Sequence, residues 1–98
     1  MASERKVVWT DEAERQLDDL YSFILLRWTE REAMNMLLAV KTCEETIAKH
    51  PEAFREAPQR PGCRLALAHP NLTMVYRHRV DEIIILSVFD NRSDDGFR

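Results

Sequence analysis

The feature that most constrains this chain is a change of hydrophobic period. Apolar residues recur every three or four positions from Ala13 to Ile47, and at about every second position after Cys63. The first spacing marks one face of a helix, the second one face of a strand. Between them runs Pro51 to Gly62, with Pro51, Pro58, Pro61 and Gly62, residues that stop helices and turn chains. A chain arranged this way builds helices and sheet in separate blocks, which is the α+β class.

The helical half has clear start and stop signals. Residues 4 to 9, ending in Val7, Val8 and Trp9, read as a short strand. Thr10 follows as an N-cap, with Asp11, Glu12 and Glu14 in the first turn, where the helix dipole favours negative charge. Ala13, Leu17, Leu20, Tyr21, Ile24 and Trp28 then form the inward stripe of a helix over 11–27. Thr29 with Glu32 is a second capping pattern and opens a helix over 30–50. That helix turns Ala33, Met36, Leu37, Val40, Cys43 and Ile47 inward, and Pro51 ends it. The join at Trp28 and Thr29 is so short that the two helices form an antiparallel hairpin. Leu20, Ile24, Leu37 and Val40 are expected in the core, and Phe54 is expected to pin the linker to it.

Three strands follow, over 63–67, 72–79 and 82–89, joined by turns at His69-Pro70-Asn71 and Val80-Asp81. Alternation puts Met74 and Tyr76 on one face of the middle strand and Thr73, Val75, Arg77 and Arg79 on the other. Ile83-Ile84-Ile85-Leu86 is apolar on both faces, so this strand belongs in the middle of the sheet. The order is β-α-α-β-β-β: a helical hairpin on one face of a small, mostly antiparallel sheet. The other face is expected to be open and to carry Arg64, Arg77 and Arg79. At 98 residues the chain is a single domain, 1–98, large enough for one core.

Composition excludes several classes. With 45% apolar and 32% charged residues the chain is neither a disordered polar segment nor a linker. Its apolar runs, such as Phe23 to Leu26 and Ile83 to Leu86, do not exceed five residues, too short for a membrane-spanning helix. Residues 1–6 contain no apolar leader core, which points to the cytoplasm. Cys43 and Cys63 have neither a C-x-x-C spacing nor a pairing signature and read as small buried hydrophobes. His50, His69 and His78 are dispersed and do not form a metal-ligand pattern, and no phosphate-cradling loop is present, so no cofactor or metal is expected.

The formal charge of −3 hides a split. Residues 1–54 hold 7 Lys and Arg against 11 Asp and Glu, a net of −4. Residues 55–80 hold five arginines against Glu56 alone, a net of +4. Every cation after Lys49 is Arg, the side chain suited to bidentate contact with phosphate or carboxylate. Those arginines read either as a solvated sheet face or as a groove for nucleic acid or an acidic protein segment. Arg64, Arg77, Arg79, Arg92 and Tyr76 are the groups a metal-independent ribonuclease could use. Arginine stays protonated and cannot move the proton, and no His, Tyr or Glu is obviously placed for that step.

Taken in order, Ala13 to Leu20, Pro61-Gly62-Cys63-Arg64, Val75-Tyr76-Arg77, Ile83 to Val88 and Asn91-Arg92-Ser93-Asp94 resemble the RelE/ParE toxin superfamily across nearly the whole chain. The resemblance implies the toxin of a type II toxin–antitoxin module, a growth inhibitor of the kind tied to plasmid stabilisation. It implies a cognate antitoxin bound in a hetero-oligomer, and places Arg64, Arg77, Arg79 and Arg92 at partner-binding positions. RelE-like members cleave mRNA on the ribosome, whereas ParE-like members poison DNA gyrase without that catalytic set. The tail after Arg92 has Phe97 and neither Tyr nor His, and Asp90 stands where ParE-like chains often have histidine. The missing proton-transfer groups and acidic balance favour the ParE-like branch and a binding protein over an enzyme. A RelE-like endoribonuclease is the alternative, and an inactive toxin fold that only binds its partner is a third reading.

Overall fold

The computed structural model describes residues 5–91, in the order β1 (Lys6–Trp9), α1 (Asp11–Arg27), α2 (Glu30–Lys49), β2 (Cys63–His69), β3 (Leu72–His78) and β4 (Glu82–Asp90). The α+β class and the β-α-α-β-β-β order are those the sequence implies. The sheet order is β1-β4-β3-β2, with β1 parallel to β4 and the other two pairs antiparallel. β4 is therefore interior, as its two-sided apolar run requires, with Ile83 and Ile85 wholly buried.

Both helix starts are fixed by threonine. Thr10 Oγ1 accepts the Ala13 N–H at 3.1 Å, and Thr29 Oγ1 accepts that of Glu32 at 3.1 Å. Thr10 also donates its hydroxyl to the Ile85 carbonyl at 3.1 Å, so the cap of α1 is tied to the central strand. A turn further on, Gln16 Oε1 accepts the Val88 N–H at 2.9 Å and the Ser87 hydroxyl at 3.0 Å. This clamp sits where β4 carries one extra residue: Val75 pairs with Ser87 but Tyr76 pairs with Ile85. The bulge moves the inward positions of β4 from Ile83 and Ile85 to Val88.

The main core lies between the hairpin and the sheet. Ala13, Met36, Val40, Cys43 and Ile47 meet Ala66, Leu72, Met74, Tyr76, Ile83, Ile85 and Val88. Phe54 packs against it from the linker, as expected. Val40 is buried, whereas Leu20 and Ile24 of α1 and Leu37 of α2 are partly buried and pack against the core from its margin; in α1 Ala13 is the buried residue. Trp28 does not complete the α1 stripe. The helix stops at Arg27, and Trp28 is its C-cap and half exposed.

The second sheet face is not bare. Ala57 from the linker covers Cys63 and Val75, with Leu65, Leu86 and Phe89 around them. The linker reaches this position by pairing with the outer edge of β2: Ala57 N–H donates to the Cys63 carbonyl at 2.8 Å and Leu65 N–H to the Arg55 carbonyl at 3.0 Å. Gly62, at φ +85°, makes the left-handed turn back into β2. Cys43 and Cys63 are free thiols in clusters on opposite faces. β2 runs two residues further than its sequence pattern suggests, through an irregularity between Leu67 and His69.

Thr10 serves both the cap and the β4 contact. Thr10→Ala should lower unfolding stability by about 1–2 kcal/mol. Urea denaturation followed by circular dichroism measures this, with an unchanged slope expected.

Candidate functional site

The arginines gather at one end of the sheet, where β2 begins, β3 ends and β4 starts. The strand register decides which face each takes. Cys63 pairs with Arg77, and Arg64 with Tyr76. Residues directly opposite in an antiparallel pair share a face. Arg77 therefore stands with Cys63 on the face away from the helices, and Arg64 stands with Tyr76 on the helix side. The expectation that Arg64 shares the open face with Arg77 and Arg79 does not hold. A single residue of register separates them.

On the helix side, Arg64 is engaged by the linker. Its guanidinium donates to the Phe54 carbonyl at 2.5 Å and lies 4.0 Å from the Glu56 carboxylate. Tyr76 is wholly buried. Its hydroxyl donates to the Pro51 carbonyl, and the Phe54 ring meets it edge-on at 6.2 Å. Burial pushes the Tyr76 phenol up to about 12, against the pull of the nearby Arg64 charge. A phenol that is buried, hydrogen-bonded and this weakly acidic is poorly suited to exchanging protons with a bound phosphate near neutral pH.

On the outer side, Arg77 is exposed at the end of β3. Arg79 is exposed in the turn, where its backbone N–H closes the hairpin onto the Glu82 carbonyl at 2.9 Å. Arg92 lies outside the described residues. The five candidates thus divide into an inner pair, Arg64 and Tyr76, held in the structure by linker carbonyls, and an outer pair, Arg77 and Arg79, free to meet an anion. Among the described residues no three His, Cys, Asp or Glu side chains converge as metal ligands would.

Sequence reasoning missed the role of the linker. Pro51, Phe54 and Glu56 supply the groups that hold Tyr76 and Arg64. Two of those contacts are backbone carbonyls, which have no residue signature; only the acidic Glu56 among arginines was a visible sign.

Across residues 7–95 the chain matches the family model described as ParE toxin of type II toxin-antitoxin system, parDE. The chain belongs to this family. As a ParE toxin within the wider RelE/ParE superfamily it shares its fold with solved structures of both branches. A chain of the chromosomal ParDE system from P. aeruginosa superimposes with a TM-score of 0.75 at 18% identity, covering 89% of this chain and 96% of that one. For the RelBE2 toxin-antitoxin complex from Mycobacterium tuberculosis the TM-score is 0.64 at 17% identity, over 90% and 99% of the two chains. For the E. coli DinJ-YafQ toxin-antitoxin complex it is 0.61 at 12% identity, over 96% and 100%. No curated protein matched the chain in sequence.

The buried phenol of this ParE toxin gives an alkaline signature. Tyr76 has a folded pKa near 12 against an ordinary value of 10, and burial raises the Cys43 thiol from 9 to about 11. Raised folded values mean the unfolded chain gives up its protons first, so stability present at neutral pH is lost as pH rises. Urea midpoints should be flat up to pH 8 and fall between about pH 9 and 12. Tyr76→Phe should remove the part of the fall above pH 10, at a cost near neutrality of roughly 1 kcal/mol for the lost hydrogen bond.

Proposed function

We propose that this toxin arrests growth by binding DNA gyrase in the cytoplasm, acts through contact rather than catalysis, and is neutralised by a cognate antitoxin in a hetero-oligomer. The observation that carries this reading is the division of the candidate nuclease residues. A metal-independent cleavage of RNA needs charge stabilisation and proton transfer at one phosphate. Here the only candidate able to transfer a proton is Tyr76, and it is buried on the helix side with Arg64, while the free cations Arg77 and Arg79 are outside. The match to a ParE family model supports the same branch.

An antitoxin partner is supported by the fold relatives, which come from toxin-antitoxin complexes. The outer arginines are the surface we assign to it, by charge complementarity with an acidic or amphipathic segment. Arg64, engaged by Phe54 and Glu56, contributes there through position rather than direct contact, and Arg92 completes the cationic set in this reading. The RelE-like alternative draws on the same exposed arginines, which could hold an RNA phosphate, and on the fold shared with RelBE2 and DinJ-YafQ chains.

Two measurements test the proposal. Purified toxin added at micromolar concentration to gyrase and relaxed plasmid should block supercoiling or accumulate cleavage complexes; no effect on either would refute the gyrase assignment. Arg77→Glu with Arg79→Glu should weaken toxin–antitoxin binding about tenfold or more in a calorimetric titration. Unchanged affinity would refute the arginine surface as the antitoxin contact.

A further inference from the structure

The outer edge of β2 is covered along only part of its length. The linker pairs with Cys63 and Leu65 and goes no further. Leu67 is the next residue whose backbone faces that side, and β2 is the last strand of the sheet. Its N–H and C=O therefore point off the edge, and its side chain is 61% exposed. Beside this edge a groove of about 420 Å³ runs between α2 and β2. It is lined by Leu38, Thr42 and Thr46 of α2, Phe54 of the linker, and Leu67 and Ala68 of β2. Leu38 is 58% exposed at its rim. Among the described residues no charged side chain lines the groove.

An open strand edge beside apolar surface accepts another extended chain. The exposed face of α2 selects which one. Arg31, Leu38 and Glu45 lie at seven-residue steps and so share one face of the helix, all three exposed. Opposite charges therefore stand at equal distances on either side of Leu38. When two copies of α2 lie antiparallel with Leu38 on the two-fold axis, each Arg31 meets Glu45 of the second copy. Neither side chain is held by an ion pair among the described residues. β2 carries the same symmetry. Leu67 presents a donor and an acceptor on one residue, so two copies of Leu67 can exchange both bonds about the same axis. In each copy the linker blocks the edge up to Leu65, which keeps the two strands from sliding past this register. On the helix side, Ala66 and Ala68 flank the axis, and their small side chains leave room for both copies of Leu38. The formal charge of −3 on each chain opposes self-association, and this surface meets it with neutral residues and matched charges.

We propose that the free part of the β2 edge and the exposed face of α2 form a two-fold interface with a second copy of this chain. Leu67 pairs with Leu67 across the axis, the two Leu38 side chains pack over the joined strands, and Arg31 and Glu45 form two equivalent ion pairs. The two sheets become one sheet with all four helices on the same side. Leu67 pairs with Thr73 and Arg77 with Cys63, so Arg77 lies at the end of β3 away from the contact and stays exposed. The dimer thus carries two copies of the arginine surface on one face.

The interface does not depend on the gyrase reading, and its failure would leave that reading standing. Sedimentation equilibrium of the full-length toxin alone, up to about 500 μM, should show a reversible dimer of the 11.5 kDa chain. Hydrogen exchange at the Leu67 amide should slow as concentration rises. Leu67→Lys and Leu38→Lys, both at exposed positions, should each weaken the dimer about tenfold or more. Leu26→Lys, on the exposed hairpin tip, should leave it unchanged. Arg31→Glu or Glu45→Arg alone puts two like-charge pairs in the contact and should weaken it about tenfold. The double variant Arg31→Glu, Glu45→Arg restores opposite charges and should return affinity to within about threefold of the parent. A monomer at every concentration would overturn the interface, as would a dimer that ignores the Leu38 and Leu67 substitutions. A double variant no tighter than the single ones would overturn the antiparallel α2 pairing. A monomer whose Leu38 and Leu67 amide signals move when antitoxin is added would overturn the second copy and give the groove to the antitoxin.

Discussion

The register of β3 between β2 and β4 is the constraint on which the functional surface depends. β3 has neighbours on both sides and five successive buried residues, Leu72 to Tyr76, so it cannot shift without exposing core. Its alternation sends Met74 and Tyr76 to the helices and Val75 and Arg77 to the other face. β2 inherits the choice through pairing, and Arg64 follows Tyr76. What looked like one set of cations in the sequence becomes two sets with different surroundings. Arg64 is tied to the Phe54 carbonyl and the Glu56 carboxylate, while Arg77 and Arg79 are exposed.

The linker completes this division. It runs back along the outer edge of β2, protecting the start of that strand from pairing with another chain and bringing Phe54, Glu56 and Ala57 into place. Pro51 accepts from Tyr76, Phe54 accepts from Arg64, and Ala57 covers Val75. A segment of prolines and polar residues thus seals part of both sheet faces. The Tyr76 phenol is weakly acidic because burial has taken it from water.

Much of the fold was legible because local signals agreed with the global arrangement. Thr10 and Thr29 announce the helix starts and both are N-caps in the structure. The two-sided apolar run of β4 announces an interior strand, and β4 is one. Other features had no local signal. The bulge at Leu86 and Ser87 was hidden because four apolar residues in a row conceal which face each takes. Trp28 fitted the helical stripe by spacing, but the stripe outlasts the helix by one residue. The placement of Arg64 and the roles of Pro51 and Phe54 depend on long-range pairing.

The charge split has a structural meaning. The acidic hairpin caps its own helices, with Asp11, Glu12 and Glu14 in the first turn of α1 and Glu30 and Glu32 in that of α2. The arginine block supplies both an internal tie, Arg64, and an exposed pair, Arg77 and Arg79. The central claim is that this ParE toxin acts without cutting RNA. Sequencing of transcript 5′ ends before and after induction of the toxin tests it most directly. The account predicts growth arrest with no new 5′ ends at ribosomal A-site codons. New ends accumulating there as growth stops, and lost in an Arg77→Glu, Arg79→Glu variant, would contradict it.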